Sequence, residues 1–175
     1  MTLVRAVRAE DLDGVAAIAA HYVLNSVATF AEAPQTVAEW RERLGDLEKR
    51  GLPFLVAEAD GEVAGYAYAG PWRPKPAYRY TVEDTIYLDP RHLGKGLGTA
   101  LLGELVERAA KAGMRQMIAV IADAAGDGSV ALHRRFGFAE ARRPFAFPGV
   151  RFDRGEGVLF RADLTAWAGA DAGPG

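Results

Sequence analysis

The sequence predicts one α/β (α+β) domain in which helices flank a central sheet. Segments with the two-residue period of a strand alternate along the chain with segments of helical period. An Asp-Gly pair joins two of the strand segments directly, and a glycine-rich stretch, "LGKGLGTA", lies between another strand and a helix. With 175 residues, half of them apolar, the chain suffices for one substantial core and is too short for two.

The first third of the chain is predicted as strand, helix, helix, strand, strand. The opening strand is "TLVRAVR", and a helix follows from about Asp11. Thr36 and Glu39 form a capping-box pattern, which predicts the start of the second helix. The segments "PFLVAEA" and "EVAGYAYAG" flank Asp60-Gly61, and this pair favours the positive φ angles of a tight hairpin turn.

The remaining elements continue the alternation. The strand "YTVEDTIYL" ends at Asp89-Pro90, and the glycine-rich stretch leads into the helix "TALLGELVERAAKAG", which Gly113 ends. The strand "MRQMIAVI", the short helix "SVALHRRF" and the closing strands "FGFAEARRPFAF" and "GVLFRADL" follow. We therefore predict a single domain over residues 1–164 and a flexible tail over residues 165–175.

Composition and charge argue against several classes of protein. The formal net charge is -2 and no run of Lys and Arg is dense, which argues against a nucleic-acid partner. There is no cysteine and the three histidines are scattered, so we expect no disulfide, no cysteine nucleophile and no metal site. Neither a signal sequence nor an apolar span of about 20 residues is present, which predicts a cytoplasmic protein without a membrane partner.

The glycine-rich stretch is suited to binding a phosphate group. It lies between a strand and a helix N-terminus, where main-chain N–H groups converge and the helix dipole favours an anion. A P-loop requires Lys and then Ser or Thr after its last glycine, whereas Lys95 precedes Gly96. A dinucleotide fingerprint requires a third glycine where Thr99 or Leu101 stands. The third candidate is the pyrophosphate loop of acyl-CoA-dependent N-acetyltransferases.

Longer segments resemble a known family. The order of the elements, the Gly-x-Gly loop after a central strand and the later "SVALHRRFGF" resemble the GNAT acetyltransferase superfamily. The segments "YAGPWR", "AYRYTVE" and "YLDPRH" are similar to its phosphinothricin and methionine sulfoximine N-acetyltransferase branch, and the resemblance covers residues 3–164. It implies the GNAT acyl-CoA N-acyltransferase fold, a mixed central sheet with a splayed strand pair flanked by helices, and a homodimer.

The resemblance also implies an activity. It is the direct transfer of the acetyl group of acetyl-CoA to the primary amine of a small amino acid or analogue, without a metal. The splayed strand would contact the cofactor through Ile86, Tyr87 and Leu88, with the Leu88 N–H as donor to the thioester carbonyl. The other expected cofactor contacts are Gly94, Lys95, Gly96, Leu97, Gly98, Thr99, Ala100, Ser129 and Arg135. Ser129 is also expected to be the N-cap of its short helix.

Glu83 is the candidate general base. It lies on the strand before the loop, where the resemblance implies a catalytic Glu. A carboxylate beside an apolar, partly closed cleft has its pKa raised toward neutrality, which suits a base. Strand alternation puts Glu83 and Asp84 on opposite faces, so we expect only one of them to face a given cleft. The alternative is a solvated strand carboxylate.

His133 is the second candidate catalytic residue. The resembling branch has a histidine at this position, near the CoA sulfur. There it would either protonate the leaving thiolate or only hydrogen-bond the cofactor. The alternative is a hydrogen-bonded helix histidine that packs beside Phe136.

The acceptor amine is expected beside the loop "GPWRPKPAYRY", just before Glu83. This loop supplies Arg73, Tyr78 and Tyr80, and "SVATF" supplies Phe30. An arginine fork matches the two oxygens of a carboxylate, and aromatic walls suit a small side chain. The alternative is that these residues belong to core or dimer packing.

Departures from the branch leave two other functions open. Leu93 replaces a Gln or Arg, Gly126 replaces an Asn, and "RFDRGEG" has Gly155 and Gly157 where the branch has Trp and Asp. A different acceptor, such as a protein N-terminus or a polyamine, would favour acidic residues in the acceptor loop. A non-catalytic acyl-CoA-binding domain would not need Glu83.

Overall fold

The computed structural model describes residues 2–25, 33–122, 127–145 and 157–168. Seven strands lie within these ranges: β1 (Thr2–Ala6), β2 (Phe54–Ala59), β3 (Glu62–Pro71), β4 (Thr81–Leu88), β5 (Gln116–Ala122), β6 (Ala139–Phe145) and β7 (Gly157–Asp163). They form one sheet in the order β1-β2-β3-β4-β5-β7-β6. β4 and β5 run parallel, whereas the other neighbouring strands are antiparallel, so the sheet is mixed, as predicted.

Helices cover both faces of this sheet. The α-helices in the described ranges are α1 (Leu12–Asn25), α2 (Val37–Arg50), α3 (Leu97–Lys111), α4 (Asp127–Arg135) and α5 (Thr165–Ala168). One apolar cluster joins α1 and α2 to Phe54 and Val56 of β2. A second cluster joins α3 to Leu55 and Ala57, the neighbours that point to the opposite face. The strands are therefore buried on two sides, which explains their near-continuous apolar sequences.

The local sequence patterns produce the elements that they predict. The Thr36 hydroxyl accepts a hydrogen bond from the Glu39 N–H at 3.2 Å, and the Thr36 N–H donates to the Glu39 carboxylate at 2.7 Å. Asp60 and Gly61 both have positive φ, 53° and 81°, in the hairpin turn. Gly113, with φ of 90°, follows the end of α3, as predicted.

The central feature of the fold is a gap between β4 and β5. The two strands are paired over three residues only, from Thr81 with Gln116 to Glu83 with Ile118. β4 then continues to Leu88 alongside β3 alone, so its other edge is separated from β5. This is the splayed pair that the resemblance implies.

The sequence analysis places the start of the tail too early. Thr165–Ala168 forms α5, whose Trp167 ring lies 6.1 Å from that of Phe136 and packs against the α3 cluster. The Asp163 carboxylate accepts hydrogen bonds from the Thr165 N–H and hydroxyl. The partly buried Trp167 and this local cap keep the first residues of the predicted tail against the packed domain.

Candidate active site

A cleft of about 860 Å³ opens at the gap between β4 and β5. Its walls come from both faces of the sheet. The α1 and α2 side contributes Tyr22, Trp40, Arg43, Tyr66 and Tyr68, and the α3 and α4 side contributes Gly98, Leu132 and His133. Because the cleft passes between two separated strands, it connects the two faces.

Glu83 lies in the cleft at the point where β4 leaves β5. Burial, and secondarily the negative charge of Asp84, raise the pKa of Glu83 to about 7. Near neutral pH this carboxylate can therefore both accept and release a proton, as a general base requires. The direction of this shift is the one that the sequence predicts.

Asp84 also lines the cleft, contrary to the expectation that only one of the two carboxylates would. The alternation itself holds, because Val82 packs in the α3 cluster whereas Tyr87 packs in the α1 and α2 cluster. The expectation fails because the cleft crosses the sheet and so meets side chains from both faces.

Alternate residues of β4 direct their main-chain N–H and C=O groups toward the cleft. The Asp89 N–H donates to the Ala64 carbonyl and the Trp72 N–H donates to the Thr81 carbonyl, both across to β3. In an antiparallel ladder of constant register, the odd-numbered residues of β4 therefore point their N–H and C=O groups at β3. The even-numbered residues, including Ile86 and Leu88, point theirs at the gap. Tyr87 can contribute to the gap through its side chain only.

A tyrosine of α1 holds the far end of β4. The Tyr22 hydroxyl donates to the Leu88 carbonyl at 2.6 Å, and its ring centroid lies 5.0 Å from that of Tyr87. This bond satisfies the Leu88 carbonyl and leaves the Leu88 N–H directed at the gap. The sequence places Tyr22 on an apolar helix stripe but gives no indication of this contact.

The glycine-rich stretch forms a cradle at the start of α3. Gly94 and Gly96 have φ of 73° and 79°, a left-handed conformation that favours glycine. Gly96 is the N-cap of α3, and no side chain hydrogen-bonds to the first turn. The first N–H groups of the helix are therefore available to an anion, as predicted from the sequence.

The side chains around the cradle are less closely engaged. Lys95 is exposed, and its Nζ lies 3.5 Å from His92 Nδ1. Arg135 is also exposed and reaches the Thr99 hydroxyl at 3.5 Å, the outer limit of a hydrogen bond. Ser129 lines the cleft, but α4 begins at Asp127, so Ser129 lies inside the helix and is not its N-cap.

His133 is a buried, doubly hydrogen-bonded histidine. Its Nε2–H donates to Asp84 Oδ2 and its Nδ1–H donates to the Ser129 carbonyl, both at 2.7 Å. Burial lowers the pKa of His133, but the charge and hydrogen bond of Asp84, with the Ser129 carbonyl, raise it above the usual value overall. The ring packs edge-on against Phe138 rather than beside Phe136. The Ser129 carbonyl can only accept, so Nδ1 carries a proton, and the raised pKa of His133 favours the protonated ring.

Three of the expected acceptor residues, Arg73, Tyr78 and Tyr80, do not line this cleft. Arg73 is exposed, with its guanidinium carbon 5.2 Å from the centroid of the Trp72 ring. Tyr78 and Tyr80 are each 38% exposed, in a segment containing the 3₁₀ turn Pro76–Tyr78. Sequence proximity to Glu83 misleads here, because β4 runs away from this loop toward the cleft.

Some of the predicted positions lie outside the described residues. They are Phe30, Gly126 and Gly155. Within the described ranges, no group of His, Asp and Glu side chains could hold a metal ion. None of the described helices has the length and apolar character needed to cross a membrane.

Arg43 and the aromatic residues around it were not predicted as site residues. Trp40 was assigned to the core stripe of α2, and Arg43 follows it by one turn. Tyr66 and Tyr68 alternate along β3 and so share a face. Two features of the sequence could have indicated a site here. They are the two tyrosines on one face of β3 and the arginine beside the apolar stripe of α2.

Comparisons with known proteins give a consistent set of relatives. The family model described as Acetyltransferase (GNAT) family matches residues 16–138. The phosphinothricin N-acetyltransferase of Alcaligenes faecalis is 44% identical over 138 residues, which are 79% of this chain and 70% of that protein. The L-methionine sulfoximine/L-methionine sulfone acetyltransferase of Pseudomonas aeruginosa is 42% identical over 129 residues, 73% of this chain and 74% of that protein. A solved phosphinothricin acetyltransferase from Sinorhizobium meliloti, in complex with acetyl-CoA, superposes with a TM-score of 0.84 at 41% identity and covers 93% of this chain and 88% of its own.

Proposed function

This chain belongs to the GNAT acetyltransferase family, and from this premise we propose that it acetylates the primary amine of a small amino acid or analogue. Acetyl-CoA is the donor, and phosphinothricin and methionine sulfoximine represent the acceptor class. The observation that carries the proposal is Glu83, a partly buried carboxylate with a pKa of about 7 at the origin of the gap between β4 and β5. A non-catalytic acyl-CoA-binding domain would have no use for such a group.

The residues of the cleft fit acetyl-CoA. The uncapped start of α3, with its left-handed glycines, suits the pyrophosphate. The N–H and C=O groups of Ile86 and the N–H of Leu88 face the gap and suit the amide groups of the pantetheine arm. When bound, acetyl-CoA supplies an acetyl group activated as a thioester. Lys95 and Arg135, exposed beside the cradle, are proposed to contact its phosphates.

Glu83 is proposed as the base that removes a proton from the acceptor ammonium, directly or through water. The neutral amine then bonds to the acetyl carbon as the carbon–sulfur bond breaks, and the sulfur departs with the electron pair of that bond. The Leu88 N–H is the proposed donor to the carbonyl oxygen as negative charge develops on it. Proton removal, binding of the thioester and stabilisation of its carbonyl oxygen are thus assigned to groups that line one gap. This arrangement holds the amine and the thioester close together in the orientation needed for reaction.

His133 is proposed to position α4 rather than to act as an acid. Both ring N–H groups are already donated, one to Asp84 and one to Ser129. A proton for the leaving thiolate would require one of these buried bonds to open. With the bonds intact, the pair links β4 to α4 across the end of the cleft.

A thiol-release assay tests the proposed function. Purified protein with acetyl-CoA is offered phosphinothricin, methionine sulfoximine, methionine sulfone, a polyamine and a peptide with a free N-terminus. We expect thiol release with the amino-acid analogues and identify the N-acetyl products by mass spectrometry. Release with the polyamine or peptide alone would assign a different acceptor class, and release with none would favour a binding domain.

Three further predictions rest on the sequence alone. They are the homodimer, the cytoplasmic location and the organisation of the chain as a single domain. Light scattering on the eluting protein measures its mass and so tests the dimer. A mass near 18.8 kDa, that of one chain, would contradict it.

A further inference from the structure

We propose that Arg43 binds an oxyanion group of the acceptor, so that it determines which amines enter the cleft. The inference rests on the proposed function, because it takes the acceptor to be an amino acid or analogue. Such molecules carry a carboxylate near the reacting amine, and some carry a second acidic group on the side chain. Both kinds of group present two oxygens to a guanidinium fork.

The position of Arg43 is fixed by aromatic rings. Its guanidinium carbon lies 5.4 Å from the centroid of the Trp40 ring and 5.1 Å from that of Tyr68. Tyr68 is the cross-strand partner of Thr85, two residues along β4 from Glu83. Arg43 and Glu83 therefore line the same cleft, on the same face of β4.

Two buried N–H donors beside this position lack a partner. Trp40 Nε1 and Arg43 Nε are both buried, and within the described residues neither has a hydrogen bond. Trp40 is only 2% exposed, so water does not compensate its indole N–H from the surface. A buried donor left unpaired costs roughly 1–3 kcal/mol. An oxygen-bearing ligand in the cleft would remove that cost.

Other arginines of the described structure contrast with Arg43. The guanidinium of Arg5 bonds the carboxylates of Asp11 and Glu58, and that of Arg108 bonds Glu104. Arg43 has no ion pair with the described residues and instead lies among aromatic rings. The carboxylate partner that Arg5 and Arg108 each have is thus absent at Arg43 among the described residues.

The charges in the cleft favour an anion at Arg43. Among the described residues that line it, the charged groups are Arg43, Glu83, Asp84 and His133. Asp84 and His133 neutralise each other through their hydrogen bond. Glu83 is proposed to meet the amine of the acceptor. The positive charge of Arg43 is then available to bind an acidic group of the acceptor.

The test compares acceptors with and without the carboxylate in an Arg43→Met variant. Methionine preserves much of the apolar stem and removes the charge and the donors. The acceptors are methionine sulfone, the amine that its decarboxylation would give, and phosphinothricin, which adds a phosphinate. Arg41→Met, at an exposed arginine of the same helix that does not line the cleft, is the matched control.

We expect kcat/KM for methionine sulfone to fall roughly 10- to 100-fold in Arg43→Met, mainly through KM, as for a lost hydrogen bond to a charged group. The decarboxylated amine should change less than about threefold, and the KM for acetyl-CoA should stay constant. A fall confined to phosphinothricin would identify the phosphinate as the bound oxyanion. Arg41→Met should leave the kcat/KM of all three acceptors unchanged.

Equal losses with and without the acidic group would show that Arg43 only packs, and would overturn the proposal. The same holds if Arg41→Met shows an equal loss. If Arg43→Met does not fold, Arg43→Gln replaces it, and its folding is checked by its thermal midpoint. The expected loss of kcat/KM with the carboxylate-bearing acceptor, relative to that with the decarboxylated amine, is the same. If the wild type acetylates amines but no amino acid, the proposed function is overturned as well. If it acetylates amino acids and the Arg43 substitution does not change this activity, only the present inference is overturned.

Discussion

Adjacent carboxylates on one strand have different environments. Glu83 lies in the cleft with a pKa raised to about 7 by burial, whereas Asp84 is hydrogen-bonded to the buried His133. Strand geometry separates the two side chains, and their neighbours decide which of them can exchange a proton with a ligand. The proposed roles of both residues follow from this difference.

Replacing Glu83 by Gln should remove the base and preserve the shape. We expect kcat/KM at neutral pH to fall by roughly 10²–10⁴, with acetyl-CoA binding retained. The loss should shrink as pH rises toward the pKa of the acceptor amine, because more amine then arrives already deprotonated. Steady-state kinetics from pH 6 to pH 10, about the pKa range of the two groups, measure this.

The exposed Glu48→Gln change on α2 is the control for that profile. It should leave activity unchanged at every pH. A Glu83→Gln profile that runs parallel to wild type on the alkaline side, or a loss below about threefold at neutral pH, would remove Glu83 from the mechanism.

The same substitution should stabilise the fold in a pH-dependent way. The folded pKa of about 7 exceeds the unfolded value near 4.5, so the wild type loses stability as pH rises between these values. Glutamine does not ionise and avoids this loss. We expect Glu83→Gln to gain up to about 3 kcal/mol relative to wild type at pH 8, and much less at pH 5, in urea unfolding. A difference that does not depend on pH would contradict the raised pKa.

At the scale of elements, periodic segments were predictable and loop placement was not. The stripes of α2 and α3, the capping box and the Asp60-Gly61 turn all form as local patterns dictate. The loop with Arg73 lies apart from the cleft, because its position depends on β4 and its packing rather than on distance along the chain. Local sequence patterns determine where a helix, strand or turn forms, whereas tertiary contacts determine the path of the loops that connect them.

The cradle at the start of α3 provides an element-scale test. Gly98 lines the cleft, and a Cβ there would lie 3.2 Å from Leu132 Cδ2, the flexible end of a side chain. We expect Gly98→Val to weaken CoA binding at least about tenfold, since its branches occupy the approach to the helix N-terminus. Isothermal calorimetry gives the affinity.

The control for helix propensity is Gly45→Val on α2, where an added Cβ meets no atom within 4 Å. Both variants introduce a β-branched residue into a helix, with a similar intrinsic cost. CoA affinity that falls equally in both, or in neither, would refute the assignment of the cradle.

At the scale of the whole molecule, the site exists only because distant segments meet. α2 supplies Arg43, β4 supplies Glu83 and α4 supplies His133, three segments well separated in sequence. The family resemblance predicted the gap between β4 and β5. It did not predict Arg43, because a lone arginine on an amphipathic helix is ordinarily a solvated charge and gains meaning only from the rings packed around it.

Acetyl-CoA should stabilise the whole domain. A ligand that binds only the folded state at 100 times its Kd adds about 2.7 kcal/mol. For a domain of this size that corresponds to a rise in Tm of roughly 5–10 °C. Thermal unfolding with increasing acetyl-CoA measures the shift in wild type and in Gly98→Val. An equal shift in both would contradict binding at the cradle.

The short pairing of β4 with β5 gives the opening between the two faces the form of a wedge. It is closed by hydrogen bonds as far as Glu83 and Ile118, and it widens as β4 continues alone toward Leu88. We therefore expect the thickness of an acyl group to decide whether it fits between the strands near Glu83. A flat two-carbon acyl group should fit there more readily than a branched or aromatic one, for which the bonded strands would have to part.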